Sequence, residues 1–538
     1  MQMPWHGHPA HAHGRDARAT TFKAGRSDEL AIGAVFLENV NVAKVVLLRR
    51  DRACRCLYCV LAIGMGTGFY KLHCSRVGDV HVDCRQKRSD DTRDLHSIRW
   101  VENPFPPGPA VQEVSTETPT AYIVGMRMRF LVFLVLGLLA FQIRPCAASD
   151  LALIGAKIYP SPTEPPVEHG TILIRDGVIL AVGPSRSVKI PKGTTSVDCK
   201  GSVVTSGFWN SHVHIFTPAL LHVHEARAGD LDEQLDAMFN RWGFTTVFDL
   251  ASSLDNTLEL RRRIETGELR GPHVLTVGEP IWTIEPVYVR DFLRTNHVSI
   301  LATETPAQAI ALVRDHAAKG ANGIKLFAGS YQGDGKVAVL PLAIAKAAVT
   351  EAHRHSMPVF AHPQNTEGVD VAIESGVDIL AHTVPQSPPW TPDFVARLKQ
   401  ANVALIPTLT LFDFEARKGG LSAQSREGWL DQMVAELRAY SQAGGEILFG
   451  TDIGYTDHYD TALEYTLMSR AGMDYRRILA SLTTNPARRF GYGGHDGRIA
   501  KGMDADLVVL GADPAQDVTA FSNVRHTICG GKVIYSKK

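Results

Sequence analysis

His212 and His214 stand two residues apart in the stretch FWNSHVHIF, residues 208–216. Side chains two apart on a strand point to the same face, so two imidazoles at this spacing can hold one metal ion from a single strand end. A second pair, His222 and His224, has the same spacing in TPALLHVHEAR, so spacing alone does not choose between them. The remainder of the chain does. Lys325 in GIKLFAGS, His362 in VFAHPQN, His382 in ILAHTVP and Asp452 in LFGTDIG each close a short apolar, strand-like run. His222 and His224 come after their run has ended, which favours a loop role. Imidazole and carboxylate ligands suit zinc, with other divalent ions open. Lys325 is the odd member of the set, because an ammonium has no lone pair to offer a metal.

The runs that must position these residues are SHVHIF, GFTTVFDL (243–250), PHVLTVGEPIW (272–282), GANGIKLF (320–327), MPVFAH (357–362), GVDILAH (376–382), NVALIPTLTL (402–411) and EILFGTD (446–452). Helical patterns separate them. TPAQAIALVRDHAAKG has Thr305 as a cap, Pro306 in the first turn and Gly320 past the end. PLAIAKAAVTEAHRHS carries its apolar residues at helical spacing. Strands alternating with helices in this number predict an α/β fold, a (β/α)8 TIM barrel. The chemistry-bearing residues fall at the carboxyl ends of runs one, four, five, six and eight, the barrel's catalytic face. Before the first run, LALIGAKIY, GTILIRDGVILAVG and TSVDCKGSVVT read as short strands, with Asp176-Gly177 as a tight turn. After the eighth, ADLVVLGA and VRHTICGGKVIYSKK read the same way.

His212, His214, Lys325, His362, His382 and Asp452, in this order, resemble the metal site of the amidohydrolase superfamily, and most closely its imidazolonepropionase-like group. The segment TTNPARRFGYGGHDGRIAKGMDADLVVL is similar to the stretch by which such enzymes leave the barrel. The resemblance implies a barrel over residues 206–490 and a small β-sandwich built from 149–205 and 491–538. It implies a first metal on His212, His214 and Asp452 and a second on His362 and His382. Lys325 would carry a carbamate, made with carbon dioxide, that bridges two divalent ions, zinc foremost. The implied reaction is hydrolysis of an amide or peptide C–N bond, of dipeptidase or carboxypeptidase kind, by a metal-bridging hydroxide, with Asp452 as catalytic proton shuttle. Tyr331, six residues past Lys325, is a candidate to hydrogen-bond the substrate carbonyl, and Arg290 and Arg294 are candidates for a substrate carboxylate.

The alternatives are a lactone or ester hydrolase on the same site, a mononuclear deaminase, or a non-catalytic scaffold. The deaminases of the superfamily lack the strand-four lysine and usually carry a glutamate three residues after the strand-five histidine, where this chain has Asn365. A scaffold would have lost ligands, and none is missing.

Apolar residues make up 45% of the 538 and charged residues 21%, ordinary for a globular protein. With 56 basic and 56 acidic residues there is no global field for nucleic acid, and the expected partner is a small-molecule substrate. A homo-oligomer is left open. Of eight cysteines, five precede residue 85, and only Cys199 and Cys529 fall in the expected mature enzyme, as free core thiols. Residues 1–125 differ in composition and read as an upstream extension outside the mature protein. Within 126–148, Arg127 and Arg129 precede an apolar run, Phe130 to Phe141, and small residues follow. This is a signal-peptide pattern starting at Met126 or Met128, and it predicts a secreted or periplasmic protein with no membrane span in the mature form. A membrane anchor is the alternative; at this length the run is short of the about 20 residues needed to cross a bilayer.

Overall fold

The computed structural model describes residues 150–296 and 299–537, together with four strand segments nearer the amino terminus. Those segments, Ala19–Thr20, Ala31–Leu37, Val42–Arg49 and Leu57–Gly64, pair antiparallel in chain order in a unit of their own. The expected signal peptide, 126–148, lies outside the described residues, as does most of the expected extension 1–125. No helix among the described residues is long and apolar enough to cross a membrane.

The two ends of the second unit meet in one mixed sheet of eight strands. Leu507–Leu510 lies antiparallel to Val203–Ser206, which runs parallel to the end of Leu151–Ile158. Val167–Arg175 and Val178–Pro184 extend the sheet on one side, and Val524–Cys529 and Lys532–Ser536 on the other. Alternation decides what each strand buries. In Leu507–Leu510, Leu507 and Val509 enter a small core with Ile158, Ile172 and Val204, whereas Val508 and Leu510 face the main core. The Asp176-Gly177 turn has the expected left-handed backbone, φ 50° and 79°.

The apolar runs form parallel sheets. Phe208–Val213, Phe244–Asp249 and His273–Thr276 make one, and Ile324–Phe327, Val359–His362, Ile379–Ala381 and Ala404–Ile406 make another. Single parallel bridges lead onward: Ile281 to Leu326, Leu405 to Ile447 and Val213 to Ile453. The eighth run therefore contributes bridges at Ile447 and Ile453 rather than a regular strand. Helix Pro306–Lys319 has the full capping box of Thr305 and Gln308 and ends at Gly320, φ 97°. Helix Leu342–Arg354 buries Ile344, Ala345, Ala348, Val349 and Ala352, one face at helical spacing.

One expectation needs correcting. The seventh run ends at Ile406, because Pro407 and a left-handed Thr408 (φ 46°) break the strand and Leu409–Lys418 continues as helix. Past the third run, the stretch 282–296 contains the helix Val287–Thr295 behind Pro286.

Candidate active site

Phe208–Val213 is buried at every residue. Trp209 anchors it, fully buried, stacked on Phe490 and donating from Nε1 to Asp496 Oδ2 at 2.8 Å. Burying an aromatic side chain of this kind contributes about 1.5–3 kcal/mol. Asp452 is brought onto the end of this strand by main-chain bonds: its N–H donates to His212 O at 2.9 Å, and His214 N–H donates to Ile453 O at 2.7 Å. Asp452 Oδ1 then lies 3.3 Å from His212 Nε2 and 2.8 Å from His214 Nε2. Gly454 makes this approach feasible. It has φ 103°, and a Cβ there would sit 2.0 Å from His214 O. Gly454→Ala should therefore lose about 2 kcal/mol or more of stability and most of the activity, because both clash and left-handed strain fall on the Asp452 segment. An alanine variant with wild-type melting temperature and turnover would remove this role.

His362 ends the strand Val359–His362 and His382 directly follows Ile379–Ala381, whereas Lys325, expected at a strand end, lies within Ile324–Phe327; all three reach the same pocket as His212, His214 and Asp452. Donor atoms of His212, His382 and Asp452 lie within 4.8 Å of one another, so His382 groups most tightly with the first-run residues rather than with His362. The rings of His382 and His362 are 4.7 Å apart, and those of His212 and His382 4.6 Å. Backbone strain concentrates here: Gln364 (φ 57°), His382 (φ 107°), Thr408 (φ 46°) and Asp452 (φ 61°) are all left-handed at the ends of the runs. Each such residue costs of the order of 1–3 kcal/mol and persists where its surroundings over-determine it, which is characteristic of functional sites.

The electrostatics favour neutral nitrogen. Burial, aided by nearby Lys325, holds His212 and His382 well below the ordinary histidine range and pushes His362 down to about 3. Burial likewise lowers the Lys325 amine to about 7 against the opposing attraction of Asp452. Imidazole lone pairs are thus available at neutral pH. His382 Nδ1 bonds Thr408 Oγ1 at 2.7 Å, leaving Nε2 for another partner. Both ring nitrogens of His212, Nδ1 of His214 and Oδ1 of Asp452 are buried without a hydrogen bond. Orphaned polar atoms are costly, and several at one point mark a place built for an ion. The residues present fit a divalent metal.

The pocket encloses about 670 Å³. Aromatic contacts lead outward from the histidines: His214 on Phe216 on Phe292, and His362 on Phe327 on Trp282, with centroids 4.7–5.3 Å apart. Tyr331 lines it, from a hairpin of Gly329–Gly333 and Lys336–Val339. Arg290 does not take part; it bonds Glu285 and Gln332. Asn365 caps helix Thr366–Ser375 through Gly368 N–H at 2.9 Å, so the deaminase glutamate position is structural here. His222 lines the pocket wall from a turn, and His224 is an exposed turn residue. Sequence reasoning missed Tyr288, a half-buried residue whose hydroxyl lies 3.2 Å from His362 Nε2, and Gln364, whose Oε1 lies 3.1 Å from the same atom. The spacing of Tyr288 and Phe292, four apart behind Pro286, was the available signal.

Buried carboxyls tie down the loops after runs six and seven. Glu436 accepts from Val384 N–H (2.7 Å) and Ser387, and Glu464 from Leu409 N–H (2.9 Å) and Thr410. Burial pushes Glu436 up to about 8 and Glu464 up to about 7. Both hold protons in the folded chain that the unfolded chain has already released, so their contribution is present at low pH and lost as pH rises through 7 and 8. The melting temperature should fall between about pH 5 and 8, and Glu436→Gln should lessen that fall by a few degrees. Parallel Tm–pH curves for variant and wild type would contradict this.

The amidohydrolase family profile matches residues 203–534, more than half of the chain and all six clustered residues. The chain belongs to the amidohydrolase family. Among curated relatives, this amidohydrolase is 23% identical over 427 residues to the ochratoxinase of Aspergillus niger, covering 68% of the chain and 83% of that protein. It is 25% identical over 387 residues to the imidazolonepropionase of Chloroflexus aggregans, covering 64% and 86%. Its fold matches a solved Xaa-Pro dipeptidase with bound methionine at TM-score 0.62 and 21% identity, over 72% of the chain and 100% of that structure. The amidohydrolase is an enzyme, and the scaffold alternative falls away.

Proposed function

We propose that this amidohydrolase cleaves an amide or peptide C–N bond in the pocket described, with His212, His214, Lys325, His362, His382 and Asp452 holding two divalent ions. The observation that carries the reading is the meeting of buried, unpartnered His212, His214 and Asp452 atoms with Lys325, His362 and His382 in one pocket. The relatives' names, ochratoxinase and imidazolonepropionase, support a hydrolase of this kind. So does the alternation of runs and helices, which we read as one (β/α)8 barrel over 206–490 with a sandwich from 149–205 and 491–538. Imidazole and carboxylate donors fit zinc.

Lys325 enters this set through its neutral amine, which burial within an apolar strand favours. The amine nitrogen bonds to the carbon of carbon dioxide and a proton leaves to solvent, giving an anionic carbamate with two oxygen donors. When bound, the ions supply a water that is nucleophilic near neutral pH and polarise a carbonyl. Asp452, flanked by both first-run imidazoles, takes a proton from the attacking water and delivers it to the leaving nitrogen. The hydroxyls of Tyr288 and Tyr331 are placed to bond the substrate carbonyl region, and the aromatic walls exclude bulk water and hold flat apolar groups.

The test is hydrolysis of N-acyl amino acids, dipeptides and aryl amides by metal-loaded protein. His212→Ala should abolish turnover and lower bound metal, because a lost ligand has no substitute, whereas His222→Ala should leave bound metal nearly unchanged. Amide turnover that survives His212→Ala and disappears with His222→Ala would overturn the assignment.

A further inference from the structure

We propose a second, separate metal site, for zinc or a similar borderline-soft divalent ion, on His273, Asp506 and Cys529. His273 opens the strand His273–Thr276, Asp506 immediately precedes Leu507–Leu510, and Cys529 ends Val524–Cys529. Of the active-site residues, His214, His362 and His382 stand at or just past the carboxyl ends of their strands. His273 stands at an amino-terminal end, so this cluster lies at the other end of the parallel sheet.

Imidazole nitrogen, carboxylate oxygen and sulfur lie within 4.8 Å of one another here, one donor from each residue. His273 Nε2 is 3.3 Å from Asp506 Oδ2. Zinc bonds of about 2.0–2.1 Å at tetrahedral angles set ligand atoms about 3.4 Å apart, so this pair already has the edge of a coordination tetrahedron. The donors are held from behind. Asp506 Oδ1 accepts Gly530 N–H at 2.6 Å, which fixes the carboxylate with Oδ2 turned towards His273, and Cys529 Sγ rests 3.6 Å from Thr245 O. Asp506 and Cys529 are buried, while the His273 side chain is 55% exposed. That leaves an entry path and a fourth position for water.

A divalent ion here would join residues 273, 506 and 529, tying a strand from the middle of the chain to two near its end and stabilising the fold by closing long loops.

Cobalt separates this site from the active site, which has no sulfur ligand and cannot give a cobalt–thiolate charge-transfer band. The full chain loaded with cobalt should show such a band, and Cys529→Ser should remove its share of it together with about one cobalt per chain. Cys199→Ser should remove none of it, and amide turnover should persist in both variants. If Cys529→Ser does not fold, His273→Ala, at a half-exposed position, should shift or remove the same band. Wild type and both Cys529→Ser and His273→Ala with superimposable spectra and equal cobalt content would overturn the proposal.

Discussion

Lys325→Ala should abolish turnover and release about one ion per chain, the one that depends on a bridging oxygen donor. The buried amine is the centre of the cluster electrostatically: its proximity lowers His212, His362 and His382 alike. It stands 1% exposed within an apolar strand, a poor place for a cation and a good one for a carbamate that metals can stabilise. A short carboxylic acid with bicarbonate should restore part of the activity of Lys325→Ala by filling the vacated place. Lys325→Arg should not respond, because a guanidinium occupies the space and stays charged. Metal analysis with native mass measurement checks both. Full metal and full turnover in Lys325→Ala would remove the bridge and leave a mononuclear centre.

Asp452→Asn should lower turnover by a factor of about 100 or more, the usual scale of general acid–base catalysis. The substitution keeps size and one oxygen near His212 and His214 but removes the proton acceptor. The His and Lys ligands should retain most of the metal, so turnover and metal content separate. Loss of all metal in the variant would make Asp452 chiefly structural.

The strand-end pattern was legible because it depends on local rules. Period two places His212 and His214 on one face, and apolar runs closing on Lys325, His362 and His382 announce strands that end at a common site. The capping box at Thr305 and the Asp176-Gly177 turn are equally local. What could not be read depends on contacts across the fold. The eighth run forms bridges rather than a strand because Asp452 and Gly454 take left-handed conformations to approach the first. Tyr288 and Gln364 acquire meaning only from their distance to His362. His273 lies more than 200 residues of sequence from Asp506 and Cys529, and no spacing rule joins them.

The central claim is that amide hydrolysis here runs on metal held by the six-residue cluster. Turnover of an amide substrate before and after exhaustive chelation tests it most directly. The stripped wild-type protein should lose essentially all activity and regain it when zinc is returned, whereas stripped His212→Ala should regain none. A stripped protein that keeps its full rate would contradict the account.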